Sequence, residues 1–408
     1  MKFSYVCNDC GREYRTDDIM YQCPHCSKEN DGTHFPKGNL RVIYDKQDLE
    51  RLKEKEHVTC YDFFPYEIPN HDAYPVGNTP LARPVRLNRE SGLKNTYCKL
   101  DSALPSGSFK DRASQLIVGQ ALAHGQTRIA LASTGNAGAA MSCAGAAYGL
   151  EIVLFVPKTA PINKLMQSVL YNATVVPVDG TYDDAFERSI EYTEAFGGIN
   201  RNTAYNPMTI EGKKSVSIEL FEQLGRKAPD AVYVAVGDGC IYAGVCKGFY
   251  DLLQAGLISK MPKVICAQST GSNAISQAFL TSRKVPMENP TTRADSISVG
   301  LPANGSMAVD YIRETEAWAT EVTDQEILDA QLQLTSKAGI FVEPAAACAW
   351  AAYAKDLDKI KKELGEDACV VVLLTGTGFK DMAAFDGRVS IPPAIENSKA
   401  AVLRRFER

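Results

Sequence analysis

The stretch "RIALASTGNAGAAMSCAGAAYGLEIVLFVP", residues 128–157, contains two short apolar runs separated by a segment of small residues. Continuous apolar runs of this length, rich in β-branched residues, are typical of strands buried on both faces of a parallel sheet. Four further runs alternate with helix-like stretches: "TVVPV" (174–178), "AVYVAV" (231–236), "KVICAQ" (263–268) and "CVVVLL" (369–374). The alternation predicts a doubly wound α/β fold, in which ligands bind beyond the carboxyl ends of the strands.

Composition and charge narrow the possible classes of function. The chain has 408 residues, enough for two or three domains, and 45% hydrophobic residues with 23% charged residues are ordinary for a globular protein. The net charge is −5 and no Lys/Arg block stands out, so we expect small-molecule partners and neither a nucleic-acid nor a membrane surface. The N-terminus lacks the apolar segment of a signal peptide, which predicts a cytoplasmic protein. A homodimer is possible.

Four of the twelve cysteines form two C-x-x-C pairs, Cys7 with Cys10 and Cys23 with Cys26. This spacing brings four thiolates around one tetrahedral zinc ion, and two redox pairs are the alternative. A closed four-sulfur site leaves no position for a substrate, so the zinc ion would be structural. Because zinc ribbons also bind RNA or proteins, a ribbon-bearing scaffold without catalytic activity is a second hypothesis.

Polar turns follow three of the apolar runs. Ser133, Thr134 and Asn136 open a helix of very small residues, where free N–H groups attract anions or are simply capped. The turn "GDGCIYAG" (237–244) could hold a phosphate with its backbone amides, and "TGTGFKD" (375–381) places Thr375 at a strand end. We expect these turns to meet at the ligand-binding edge of a sheet.

A further turn, "PSGSFKDR" (105–112), places Lys110 behind small hydroxyl residues and a glycine. Most lysines are simply solvated. A lysine amine becomes a nucleophile when its pKa is depressed, and its main covalent use is a Schiff base with a carbonyl compound or pyridoxal phosphate. The five histidines lie outside all of these turns, so Ser/His and Cys/His mechanisms have no support in the sequence.

Together with "GNTPL" (77–81), "VGLPAN" (299–304) and "FVEPAAACA" (341–349), these motifs resemble the pyridoxal-phosphate enzymes of the tryptophan-synthase-β fold type, and the threonine synthase family most closely. The cysteine pairs also look like those of many members of that family. The resemblance covers most of the chain and implies a fold type II enzyme with two parallel-sheet domains and an N-terminal zinc ribbon. We expect the ribbon over 1–45, an extension over 46–95 and the catalytic core over 96–408, with the smaller domain at about 130–210.

The resemblance also implies roles for individual residues. Lys110 matches the lysine that binds the cofactor covalently, Asn136 the residue at its phenolic oxygen and Thr375 the hydroxyl at its pyridine nitrogen. The complete set of implied cofactor residues is Phe109, Lys110, Asn136, Gly237, Asp238, Gly239, Cys240, Ile241 and Thr375. The candidates for a second site, which would bind a substrate phosphate, are Ser133, Thr134, Lys158, Asn163, Lys164 and Asn206.

The implied reaction is that of a lyase in amino-acid biosynthesis, which forms L-threonine from O-phospho-L-homoserine and water and releases phosphate. Three positions depart from the family pattern: Thr377 replaces a frequent histidine, Asp238 a loop asparagine and Ala113 a glycine. These departures keep open β-replacement or elimination on O-phosphoserine or a hydroxy amino acid, as in cysteate synthase.

Overall fold

The computed structural model describes residues 1–18, 20–281 and 289–407, which contain three β-sheets. Their strands are β1 (Phe3–Cys7), β2 (Glu13–Tyr14), β3 (Leu40–Tyr44), β4 (Leu81–Ala82), β5 (Thr96–Leu100), β6 (Arg128–Ala132), β7 (Glu151–Pro157), β8 (Thr174–Val178), β9 (Ile199–Asn200), β10 (Ala231–Ala235), β11 (Lys263–Ser269), β12 (Ala319–Val322) and β13 (Val370–Leu374).

Helices separate most of the strands. They are α1 (Lys46–Glu50), α2 (Cys60–Phe63), α3 (Val85–Ser91), α4 (Asp111–Ala123), α5 (Asn136–Tyr148), α6 (Ile162–Leu170), α7 (Tyr182–Phe196), α8 (Met208–Glu211), α9 (Ser215–Gln223), α10 (Cys240–Gln254), α11 (Ala274–Thr281), α12 (Gly305–Glu314), α13 (Asp324–Ala338), α14 (Pro344–Lys355), α15 (Leu357–Leu364) and α16 (Lys399–Phe406). None of the helices in the described ranges is long and apolar enough to cross a membrane.

Two of the sheets are parallel and hold all six predicted strands. The four-stranded sheet has the order β8-β7-β6-β9, and the six-stranded sheet has the order β12-β11-β10-β13-β5-β4, with only the edge strand β4 antiparallel. The apolar runs that begin at 128, 151 and 174 form strands of the smaller sheet, and those that begin at 231, 263 and 369 form strands of the larger one. The predicted α/β fold class with two parallel sheets is therefore confirmed.

Burial explains why these runs were recognisable. Every residue of β10 and of β13 is buried, as expected for central strands covered by helices on both faces. Strand β8 lies at the edge of the smaller sheet, and its exposed positions are Thr174 and Pro177. An edge strand tolerates proline because the N–H that proline lacks is not needed for a hydrogen bond to a neighbouring strand.

The N-terminal sheet is small and antiparallel, with the order β2-β1-β3. It carries the four cysteines of the predicted ribbon on and beside β1 and on the turn that begins at residue 23. The predicted domain limits stay a prediction. Strand β4 lies within the predicted extension 46–95 but pairs with β5 of the larger sheet, so that segment is joined to the core.

Candidate active site

Backbone hydrogen bonds join the turn 105–112, which contains Lys110, to the segment that directly follows β13. The N–H of Phe109 donates to the carbonyl of Thr375 at 2.7 Å, and the N–H of Thr377 donates to the carbonyl of Gly107 at 3.0 Å. Gly107 has φ +83°, a conformation that favours glycine, and a side chain there would press on Thr377. These contacts place Lys110 opposite Thr375, with α4 beginning directly after the lysine.

A buried ion network fixes the first turn of α4. The guanidinium of Arg112 is fully buried and donates to Asp101 at 2.6 Å and to Glu219 at 2.6 Å, while Lys99 lies 2.8 Å from Glu219. Buried charges are tolerated when they are paired and hydrogen-bonded, and removing one partner is costly. The network joins α4 to β5 and α9, so the backbone that carries Lys110 has little freedom.

A cavity beyond the strand ends brings together several predicted residues. Its lining residues are Ser108, Phe109, Lys110, Asn136, Ala235, Ile241, Ser296, Ile297, Glu343, Ala345 and Thr375. Five of them, Phe109, Lys110, Asn136, Ile241 and Thr375, belong to the implied cofactor set. The cavity therefore brings together five of the nine residues of the implied cofactor set.

Burial makes Lys110 a better nucleophile. It lowers the pKa of the amine, while Asp238 opposes this shift and the guanidinium of Arg201 adds to it. The depressed pKa favours the neutral amine, which is the form that attacks a carbonyl carbon.

Glu343 is a cavity residue that we did not predict, although its segment 341–349 contributed to the resemblance. Its carboxylate accepts hydrogen bonds from Asn136 Nδ2 at 3.1 Å and from Ser296 Oγ at 3.2 Å. Burial raises the pKa of this carboxyl group. Glu343 thus occupies the donor groups of Asn136 that a cofactor oxygen would otherwise meet.

The loop 237–241 has the features of a phosphate site. Gly239 has φ +85° and lies against the Asn304 carbonyl, and α10 starts directly after it. Within the described ranges, the N–H groups of residues 237–241 are not used in any hydrogen bond of the chain. Free N–H groups at the start of a 15-residue helix suit an anion. The loop and the lysine together fit pyridoxal phosphate.

The residues predicted to bind a substrate phosphate do not converge on this cavity. Lys158 is exposed and pairs with Asp179 at 2.5 Å. Asn163 is also exposed, and its side chain accepts from the N–H of its neighbour Lys164. Lys164 is half-buried and pairs with Asp295 at 2.6 Å.

The other three candidates differ among themselves. Ser133 Oγ accepts from the N–H of Gly138 at 3.0 Å and so caps α5, whereas Thr134 is half-buried just before that helix. Asn206 is fully buried, and its amide group donates to Gln120 at 2.7 Å and to the Asn200 carbonyl at 2.9 Å. The amide nitrogen of Asn206 is therefore already used in hydrogen bonds within the protein.

Two buried cations that we did not predict lie near Lys110. Arg201, directly after β9, has Nε and Nη2 atoms without a hydrogen-bond partner among the described residues, while its Nη1 donates to Thr203 at 3.0 Å. Lys213 is also fully buried and donates to the Thr209 carbonyl at 2.7 Å. Burial lowers the pKa of Arg201 to about 10 and that of Lys213 to about 7.

The four ribbon cysteines form a compact cluster. The Sγ atoms of Cys7, Cys10, Cys23 and Cys26 all lie within 4.8 Å of one another. Burial opposes ionisation of Cys23, but hydrogen bonds, the largest from Tyr14, outweigh it and lower the pKa of the thiol to about 6. A thiolate in a four-sulfur cluster fits a tetrahedral metal ion.

Comparisons with known proteins identify the family of this chain. The family model described as "Pyridoxal-phosphate dependent enzyme" matches residues 73–376. The chain therefore belongs to the pyridoxal-phosphate-dependent enzymes.

Within that class, the chain is similar to threonine synthases. It is 33% identical to the threonine synthase of Methanocaldococcus jannaschii over 92% of both chains. It is 34% identical to that of Methanosarcina acetivorans over 92% of this chain and 91% of the relative. The chain is thus a member of the threonine synthase family, an enzyme of the lyase class.

Solved structures share the fold at lower identity. Maize serine racemase is 21% identical, with a TM-score of 0.66 over 76% of this chain and 92% of that chain. A threonine deaminase from Solanum lycopersicum is 22% identical, with a TM-score of 0.64 over 76% of this chain and 83% of that chain.

Proposed function

We propose that this enzyme forms L-threonine from O-phospho-L-homoserine and water and releases phosphate. The observation that supports a phosphorylated substrate is the buried guanidinium of Arg201. Its Nε and Nη2 groups have no partner among the described residues. A buried donor without a partner is costly, and a charged one more so. Lys213 lies nearby and adds a second positive charge where it is protonated, so the region favours an anion.

The cofactor in this proposal is pyridoxal 5'-phosphate, which when bound withdraws electrons from the carbon skeleton of the substrate amine. Lys110 would bind it covalently, and the N–H groups of 237–241 would hold its phosphate. The hydroxyl of Thr375 would meet the ring nitrogen as a neutral partner.

We also assign the proton transfers of the reaction to the amine of Lys110. Loss of phosphate from Cγ requires protons to be removed from Cα and then Cβ, after which water adds at Cβ. A buried amine of depressed pKa suits both removal and return of a proton. Arg201 and Lys213 would hold the phosphate while these transfers occur.

The four-cysteine cluster supports a structural zinc ion held by Cys7, Cys10, Cys23 and Cys26. The proposed domains are the ribbon over 1–45, the extension over 46–95 and the core over 96–408, with the smaller domain at about 130–210. The small antiparallel sheet beside the cysteines supports a separate ribbon unit.

The substrate test supplies O-phosphohomoserine and O-phosphoserine separately, the latter with sulfite or sulfide, and follows phosphate release and the amino acid formed. The proposal expects threonine from the first and little turnover of the second. The two substrates carry their phosphates one carbon apart, and a misplaced reacting atom costs orders of magnitude in rate. Turnover of O-phosphoserine alone would instead support the β-replacement reaction.

The variant Arg201→Met tests the phosphate assignment. We expect its KM for the phosphorylated substrate to rise by about 10- to 100-fold, because a hydrogen-bonded charge contributes about 1.5–3 kcal/mol. Arg188→Met is the matched control, since Arg188 lies on α7, which packs against the smaller sheet, but is exposed and pairs with Glu191. Equal effects of the two substitutions would contradict the assignment.

A further inference from the structure

The buried side chain of Asn39 joins the ribbon to the segment 303–304, which lies against the loop 237–241. Asn39 is 3% exposed and immediately precedes β3. Its amide nitrogen donates to the carbonyl of Ala303 at 2.7 Å and to Oδ1 of Asn304 at 2.9 Å. The two acceptors are more than 260 positions away in the chain, so this contact depends on how the ribbon docks.

The residues that Asn39 binds are those that hold the loop 237–241. The N–H of Asn304 donates to the carbonyl of Asp238 at 2.9 Å, and the N–H of Ala303 donates to the Asp238 carboxylate at 3.4 Å. A side-chain carbon at Gly239 would lie 2.7 Å from the Asn304 carbonyl, so loop and segment fit closely. The position of 303–304 therefore sets the position of the loop.

Backbone hydrogen bonds also join both cysteine pairs to Gly38 and Asn39. The N–H of Asn8, next to Cys7, donates to the Asn39 carbonyl at 2.9 Å. The N–H of Cys23 donates to the Gly38 carbonyl at 2.9 Å. Hydrogen bonds thus run from the cysteine cluster through Gly38 and Asn39 to Asn304 and the loop.

We propose that Asn39 is a positioning residue for the loop 237–241, so that the N-terminal ribbon sets the affinity of the enzyme for its cofactor. The inference rests on the proposed function, in which this loop binds the cofactor phosphate. Asn39 does not reach the cavity itself. It acts by orienting Ala303 and Asn304 so that the loop N–H groups keep the geometry that an anion requires.

The test compares Asn39→Ala with wild type in the full-length enzyme. The measured quantity is the dissociation constant of pyridoxal phosphate, obtained from the visible absorbance of the bound cofactor. We expect it to rise about tenfold, because the variant leaves two acceptors of the segment 303–304, of which Asn304 Oδ1 is buried, without a donor. The more conservative Asn39→Ser removes the same donors with a smaller loss of polar surface and should weaken binding in the same direction.

Asn8→Ala is the matched control, because it keeps the backbone N–H that donates to the Asn39 carbonyl and removes only the side chain, which joins the ribbon to Asp310 on α12 at 3.0 Å. Its dissociation constant should stay within twofold of wild type. An unchanged affinity in both Asn39 variants, or an equal rise in Asn8→Ala, would overturn the inference. A wild-type enzyme that binds no pyridoxal phosphate would overturn the proposed function as well, so the two failures are distinguishable.

Discussion

At the scale of the residue, burial gives Lys213 an unusual charge state. Burial lowers the pKa of its amine to about 7, with Cys240 and Asp238 opposing the shift and Lys110 and Arg201 adding to it. The amine is therefore protonated below about pH 7 and neutral above it. If Lys213 helps to bind a phosphate, the contribution of its charge to affinity must be present at acidic pH and disappear as the pH rises.

We therefore predict that Lys213→Met binds inorganic phosphate about tenfold more weakly than wild type at pH 6 and almost equally at pH 8.5, since a charge-assisted hydrogen bond is lost only where the lysine is protonated. Titration calorimetry at both pH values measures the ratio of affinities. The ratio cancels the titration of phosphate itself, whose second pKa is about 6. Lys158→Met, which removes an exposed cation, is the control, and a ratio independent of pH would contradict the prediction.

Some residues of the site could be predicted from the sequence, and others could not. Lys110, Asn136 and Thr375 were predicted because each stands in a short motif that resembles one of the family, and all three line the cavity. Arg201 and Lys213 stand in no such motif. They come close to Lys110 only because β9 and the segment before α9 fold against it, and that proximity depends on the tertiary structure.

At the scale of the element, the six predicted strands share one property, which is continuous apolar sequence. Strand β5 was missed because its sequence "TYCKL" contains Lys99, a charged residue that pairs with Glu219, 120 positions further along the chain. Strand β9 was missed because it has two residues, too few for any periodic pattern. Tertiary contacts, rather than local propensity, make these segments strands.

The zinc site that we propose for the ribbon would make the stability of this element depend on a bound ion. We predict about one zinc ion per chain in the wild type and its loss in Cys23→Ser, because three thiolates leave the tetrahedral shell incomplete. Metal analysis and limited proteolysis of the N-terminal segment measure both effects. The cofactor should still bind at saturating concentration, since the ribbon supplies no residue of the cavity.

Cys60→Ser is the control for that experiment, because Cys60 is buried in α2, away from the cluster, and should leave the zinc content unchanged. A Cys23→Ser protein that retains its zinc ion and its resistance to proteolysis would contradict the zinc assignment.

At the scale of the whole molecule, the site joins parts of the chain that are far apart in sequence. Asn136 follows a strand of the smaller sheet, whereas Lys110 and Thr375 follow strands of the larger one. Side chains also bridge the two sheets beside the cavity: Lys164 of α6 pairs with Asp295 at 2.6 Å. A ligand in the cavity therefore contacts structure that depends on both sheets.

We predict that pyridoxal phosphate raises the unfolding temperature of the whole chain in one transition. At a concentration a hundred times its dissociation constant, a ligand that binds only the folded state adds about 2.7 kcal/mol of stability, which corresponds to roughly 3 °C for a chain of this size. Lys110→Ala should show a smaller shift, because covalent attachment is lost while the loop 237–241 still binds phosphate.

Differential scanning calorimetry of both proteins measures the shift, and borohydride reduction should attach the cofactor only to the wild type. Two separate transitions, of which the cofactor moves only one, would contradict the prediction, because a site built on both sheets couples their unfolding to the same ligand.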